Sequence, residues 1–194
     1  MKPAIIARAA GALMLVAGLA ACVDVDVKME VLDSEHGRGS IVMTMDRQFY
    51  DMAQAQGNAD FCDSEDELTV GDTVVTCASV TEGTFDELNE SGSGEPGPQV
   101  IAQADGTVRV TLPTGTLVQA ASADKPDDET LTMMQSMFEG KFFRITVAGS
   151  EVLDSNMEIS DDGKSATLAI PFFEMITGEA EVPDEAYAVV KPIN

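Results

Sequence analysis

The chain has 194 residues, of which 34 are Asp or Glu and 11 are Lys or Arg, giving a net charge of −23 at pH 7. That balance argues against binding nucleic acid, whose phosphates call for Lys and Arg, and against electrostatic adhesion to an anionic membrane face. The absence of Trp and the presence of only 2 Tyr leave few flat surfaces for stacking a sugar.

Lys2 and Arg8 come before an apolar run, Ala9 to Ala21, that ends in small residues. A basic start, an apolar middle and a small-residue end describe a secretory signal peptide. The run is too short to span a bilayer, and no later stretch approaches the ~20 apolar residues that a span needs. Leu19-Ala20-Ala21-Cys22 resembles the lipobox of bacterial lipoproteins at all four positions. The resemblance implies that residues 1–21 are cut away and that Cys22 carries a diacylglyceryl thioether. It also implies that the new N-terminus is acylated, for example with palmitate. Residues 22–194 are then a single envelope domain, joined to the membrane through that lipid. They keep 9 of the 11 basic residues and all 34 acidic ones. In a two-membrane envelope, Val23 rather than Asp after the cysteine points to the outer membrane, periplasmic face.

Val23 to Val31 alternates apolar and charged residues without a fault. That period of two predicts a strand with one buried and one wet face. Asp33 to Gly39 reads as a polar connection holding His36, and Ile41 to Met45 as the returning strand of a hairpin. Asp46 is placed to cap a helix running to about Gln56, with Phe49, Met52 and Ala53 on one face and Gly57 as its stop. Asn58 to Leu68 is an acidic loop holding Cys62, and Asp72 to Val80 a strand carrying Cys77. Thr84-Phe85-Asp86-Glu87 has the form of a capping box opening a short helix to about Asn89. Residues 91–98, Ser-Gly-Ser-Gly-Glu-Pro-Gly-Pro, form the one low-complexity stretch and read as a flexible loop.

Val100 to Ala104 and Thr107 to Leu112, joined by Asp105-Gly106, form a second hairpin. A helix is expected from Asp127 to Glu139, with acids in its first turn and Gly140 as its stop. Its apolar face is Leu131, Met134, Met137 and Phe138, with Met133 beside it. Strands follow at Phe142–Val147, Val152–Ile159 and Ala166–Ile170, then a single helical turn from Phe172 to Ile176 and a last strand at Ala186–Val190. Strands dominate, with about three helices and no βαβ alternation. The predicted class is α+β with a mostly antiparallel sheet of hairpins. The strand opening after Cys22, the return at Gly39–Met45 before a helix, and Gly149-Ser150-Glu151-Val152 … Ser160-Asp161-Asp162-Gly163-Lys164 resemble the LppM-type lipoprotein domain. That family is a mixed α/β module on lipid-anchored envelope proteins, and its pattern implies no catalytic constellation.

The cysteines and the search for chemistry bear on function. Export places Cys62 and Cys77 in an oxidising compartment, where a disulfide closing a loop of about 15 residues is the default. Such a bridge is worth about 3 kcal/mol in the chain-entropy model. His36 is the sole histidine, there is no Gly-x-Ser-x-Gly, and no phosphate-binding or dinucleotide loop occurs, so no cofactor is expected. Asp60, Asp63, Glu65, Asp66 and Glu67 suit a hard cation chemically but lack EF-hand spacing, so at most weak Ca²⁺ binding is expected. Leu131, Met133, Met134, Met137 and Phe138 would form an adaptable apolar groove for a lipid or a protein partner. The expectation is a non-enzymatic, lipid-anchored envelope protein. The alternative is an envelope hydrolase with an unusual carboxylate or Lys site, which would place a buried pair of acids beside Lys141 or Lys164.

Overall fold

The computed structural model describes residues 23–55, 61–89, 98–123, 130–132, 135 and 138–194. The fold is α+β: two mostly antiparallel sheets with short helices packed against them. The large sheet takes β1 (Val23–Val31), β2 (His36–Asp46), β3 (Glu67–Val70), β4 (Val74–Thr84), β7 (Phe142–Ala148), β9 (Glu158–Ile159) and β10 (Ser165–Pro171), in the order β3-β4-β2-β1-β7-β10-β9. The small sheet takes β5 (Gln99–Ala102), β6 (Val108–Leu112), β8 (Glu151–Ser155) and β11 (Ala186–Lys191), in the order β5-β6-β11-β8. The chain passes between the sheets at β4–β5, β6–β7, β7–β8, β8–β9 and β10–β11, which stitches them into one unit.

β1 lies at the centre of the large sheet. It pairs antiparallel with β2, from Val23 opposite Met45 to Val31 opposite Gly37, and parallel with β7, from Val25 opposite Phe143 to Glu30 opposite Ala148. Its faultless alternation follows from this position, because only one face of the sheet is covered. The covered face carries two adjoining cores. Val31, Val147 and Ala166 meet the small sheet through Val108, Val110, Ala188 and Val190. Val25, Val27, Phe143, Ile145 and Ile170 meet the helical layer. A buried Val, Ile or Phe contributes about 1.5–3 kcal/mol each, so the double use of one face supplies much of the stability.

The helices are α1 (Arg47–Ala55), α2 (Phe85–Asn89), α3 (Thr114–Ser122) and α4 (Phe172–Thr177), with a fifth helical segment at residues 130–132, 135 and 138. Sequence reasoning expected about three. The unexpected one is α3, which follows Pro113 and opens with Thr, Gly and Thr, all weak helix formers. It is held tertiarily: the buried Thr114 hydroxyl donates to the Pro183 carbonyl (2.5 Å), and the Gly115 N–H donates to the Asp184 carbonyl (2.9 Å). The expected capping box is present at α2. Thr84 N–H donates to the Glu87 carboxylate (2.9 Å), and Glu87 N–H donates to Thr84 Oγ1 (3.3 Å).

Three expectations need correction. His36 lies in β2, paired with Thr84, because the hairpin turn is tighter than expected and closes at Leu32 N–H to His36 O (3.1 Å). Asp46 ends the same strand, opposite Val74, and directly precedes α1, the position expected of it. Glu67–Val70 forms edge strand β3, whose first two residues fall in the stretch expected to be an acidic loop. The extended stretch from Val152 is two strands in different sheets, separated at Asn156-Met157. The Gly57 stop and the low-complexity loop at 91–97 lie outside the described residues.

Gly149 marks the crossing from β7 to β8. Its N–H donates to Lys164 O (3.0 Å), and Ser150 N–H donates to Lys191 O (2.9 Å). A Cβ at position 149 would run into the Lys191 carbonyl oxygen and meet Val190 Cβ at 2.9 Å. Gly149→Ala is therefore expected to cost about 1–3 kcal/mol, as overpacking does. Gly39→Ala is the control, since a Cβ there meets nothing nearer than Thr81 O at 3.9 Å. Urea unfolding of the two variants should separate them clearly, and equal midpoints would contradict the close approach.

Candidate functional site

The open face of the large sheet holds two rows of charge. Asp24, Asp26, Lys28 and Glu30 project from β1 on the side away from the apolar residues. Asp24, with 21% of its side chain exposed, accepts from the Phe142 N–H (3.1 Å), Lys141 Nζ (3.2 Å) and Arg144 Nη1 (3.4 Å). Arg144 also approaches Asp26 at 3.5 Å and lies over the Phe142 ring. The second row runs from Lys28 to Glu30 (2.8 Å), on to Arg38 (3.6 Å) and then to Glu82 (3.0 Å). Hydrogen bonding by Lys28, helped by the Arg38 charge, holds the Glu30 carboxyl below its usual range. The Asp24–Arg144, Asp26–Arg144 and Glu30–Arg38 pairs cross strands and tie β1 to both neighbours, whereas Lys28–Glu30 lies within β1 and Arg38–Glu82 joins β2 to β4. Among the described residues Lys141 thus has one carboxylate partner, Asp24, and that carboxylate is engaged by three donors. Lys164 lies in an exposed turn, where its N–H donates to Asp162 (3.1 Å).

The disulfide is present. Cys62 and Cys77 are bonded, with Cα atoms 5.5 Å apart, well within the usual range. Cys77 is 1% exposed in the middle of β4, and Cys62 ties the acidic segment over it. Phe61 adds an edge-on contact with Tyr50 of α1, ring centroids 6.1 Å apart. Among the described residues, Cys62, Asp66 and Cys77 alone bring three ligand-type side chains within 4.8 Å of one another. Two of these sulfurs are spent in the bridge, and a metal binds thiolates rather than a disulfide. Asp63, Glu65 and Glu67 are exposed, and Asp60 lies outside the described residues.

The expected apolar groove divides similarly. Phe138 is 2% exposed and stacked on Phe172, ring centroids 5.2 Å apart and planes 2° from parallel. It fills the helical core, while Leu131 is half-buried. Met133, Met134 and Met137 lie outside the described residues. Open clefts among the described residues include two beside β10. One of about 350 Å³ is lined by Ile170, Pro171, Glu174, Glu179, Glu181 and Val182, among others. The other, about 250 Å³, lies between Glu158 and Asp161 beside Thr167. No described helix is long and apolar enough to cross a membrane.

His36 Nδ1 sits 3.0 Å from Asp33 Oδ1 in an exposed pair. The Asp33 carboxyl is held low by the Glu35 backbone N–H and by His36. Turn and cap carboxylates behave alike: the Thr84 N–H lowers Glu87, the Thr107 hydroxyl lowers Asp105, and the Ser160 hydroxyl lowers Asp162. Comparison with family models, curated proteins and solved structures returns no match.

Glu30, Asp33, Glu87, Asp105 and Asp162 are more acidic folded than unfolded. Their contribution is complete above the unfolded carboxylate range near pH 4 and is lost as pH falls through the lower folded values. Relief of acidic self-repulsion acts the other way between neutrality and about pH 4. Thermal melts should therefore show a falling midpoint from about pH 4 downward, and a rise across that window would contradict the assignment. The disulfide gives a second expectation. Cys62→Ala with Cys77→Ala should cost about 2–4 kcal/mol and speed proteolysis around residues 61–66, while far-UV dichroism keeps its strand signal. Two free thiols titrated in protein isolated without reductant would contradict the bridge.

Proposed function

We propose that this chain is a lipid-anchored bacterial envelope protein that performs no catalysis itself and binds a lipid or a protein partner at the membrane surface. The observation that carries this reading is Leu19-Ala20-Ala21-Cys22 placed directly before Val23, the first residue of the central strand. A signal peptide with small residues at its end explains why an apolar run precedes a strand that already has partners on both edges. The lipid on Cys22, with more than one acyl chain, supplies the membrane affinity that an acidic body cannot, at about 0.8 kcal/mol per buried methylene. The disulfide supports export, since such bridges persist in oxidising compartments.

The test is direct. Cys22→Ser should remove the protein from the membrane fraction or leave it as the uncut precursor. Mass spectrometry of the wild-type protein should find a diacylglyceryl group and an acyl chain on Cys22. Normal cleavage and undiminished membrane retention of the serine variant would overturn the reading.

A further inference from the structure

We propose that the tip of the β3–β4 hairpin is a second membrane contact, with Val70 and Val74 seated in the headgroup–acyl boundary of the bilayer that holds Cys22. The proposal rests on the anchoring reading above and deepens it by fixing how the body sits. Val23 opposes Met45, Met45 opposes Val75, and Val75 opposes Val70, so all four lie on one rung at one end of the large sheet. Three strand spacings of about 4.8 Å put Val70 roughly 14 Å from Val23. Cys22 is the next residue before Val23, about 3.8 Å away between Cα atoms. A lipid there has no tether to lift this end of the sheet from the membrane.

Val70 and Val74 frame the turn on opposite faces of the sheet, either side of the exposed Asp72 and Thr73. Val70 is 47% exposed and Val74 42%, and Leu68 follows on the same face of β3 at 42%. Backbone polar groups brought to a membrane must already be satisfied, and here three turn carbonyls are. Val74 O accepts from the Gly71 N–H (2.9 Å), Thr73 O from the Arg47 N–H (2.9 Å), and Gly71 O from Arg47 Nη1 (3.1 Å). Arg47, held in turn by Asp51 at 2.8 Å, braces the hairpin from α1. The flanking charges select the surface. Asp46, Asp51 and Asp72 are exposed at this end, so an anionic leaflet repels it. A zwitterionic one, such as a phosphatidylethanolamine surface, offers ammonium groups to the acids and an apolar boundary to the valines.

The chain has no Trp, so one introduced indole reports alone. Val70→Trp and Val74→Trp are compared with Ile101→Trp and Leu153→Trp, which lie on the small sheet and are 54% and 45% exposed in the native protein. Each variant is prepared as the lipidated protein, with the lipid on Cys22 verified by mass spectrometry and folding verified by a melt. It is then reconstituted in phosphatidylethanolamine–phosphatidylcholine vesicles containing acyl-brominated lipid. Quenching at 70 and 74 is expected to exceed that at 101 and 153 several-fold, and to weaken when phosphatidylglycerol replaces much of the zwitterionic lipid. Equal quenching at all four sites on verified lipoprotein overturns the proposal and leaves the anchor standing. Cross-linking between copies through the β3 edge, without quenching, overturns it in favour of a second copy as the occupant. Absence of any lipid on Cys22 overturns the anchoring reading, and this proposal with it.

Discussion

The structure depends on β1 having partners on both edges. β2 is its hairpin neighbour, and the pairing between the two is local in the chain. β7 is not local: its first residue, Phe142, follows the last residue of β1, Val31, by more than half the chain. The register between them is fixed from two directions. On the covered face, Val25 and Val27 interlock with Phe143 and Ile145. On the open face, Asp24 collects the Phe142 N–H, Lys141 and Arg144. A one-residue slip would turn the valines to water and the acids into the core. Every other element is placed relative to this pair: β10 extends the sheet beyond β7, β4 extends it beyond β2, and the small sheet and the helices divide the apolar face between them.

An acidic chain must distribute its few cations with care. Four of them, Lys28, Arg38, Lys141 and Arg144, meet on the open face of the large sheet, and each contacts a carboxylate on its own or a neighbouring element. Exposed pairs of this kind add little individually. Their effect here is to let like-charged strand residues stand side by side in β1 without repelling one another. Elsewhere the acids are quieted by N–H and O–H donors instead, as Thr84, Thr107 and Ser160 do for Glu87, Asp105 and Asp162.

What was legible in the sequence was whatever local chemistry decides. The alternation of Val23–Val31, the capping box at Thr84 and Glu87, and the turn glycines Gly106, Gly140 and Gly163, all with positive φ, announce themselves within a few residues. The bond between Cys62 and Cys77 was readable because so few thiols remain. What was hidden is what distant residues decide. β3 is four exposed residues whose strand state comes from pairing with β4, and α3 owes its start to the Pro183 and Asp184 carbonyls. His36 looked like a loop residue because Gly37 and Gly39 follow it, yet its strand is fixed by pairing with Thr84 of β4, on the edge of β2 away from β1. For the candidate site, the proposed lipobox rests on the resemblance of four adjacent residues, Leu19 to Cys22. The rung that aligns Val70 with Val23 was not legible in the sequence, because it needs two strand registers at once.

The late arrival of β7 also has a meaning in time. A chain made from its N-terminus delivers β1 first, and β1 can form only one of its two edges until residue 142 and those after it have been made. Closure comes later still, since the Ile193 and Asn194 N–H groups donate to the Val31 and Leu32 carbonyls (3.1 and 2.9 Å). Pairings between such distant segments are slow to find. A growing molecule therefore waits with the middle strand of its main sheet half-edged, an open template for any other strand. The acidic residues that alternate along it, Asp24, Asp26 and Glu30, keep such chains apart during that interval, so their service to the molecule begins before there is a fold to stabilise.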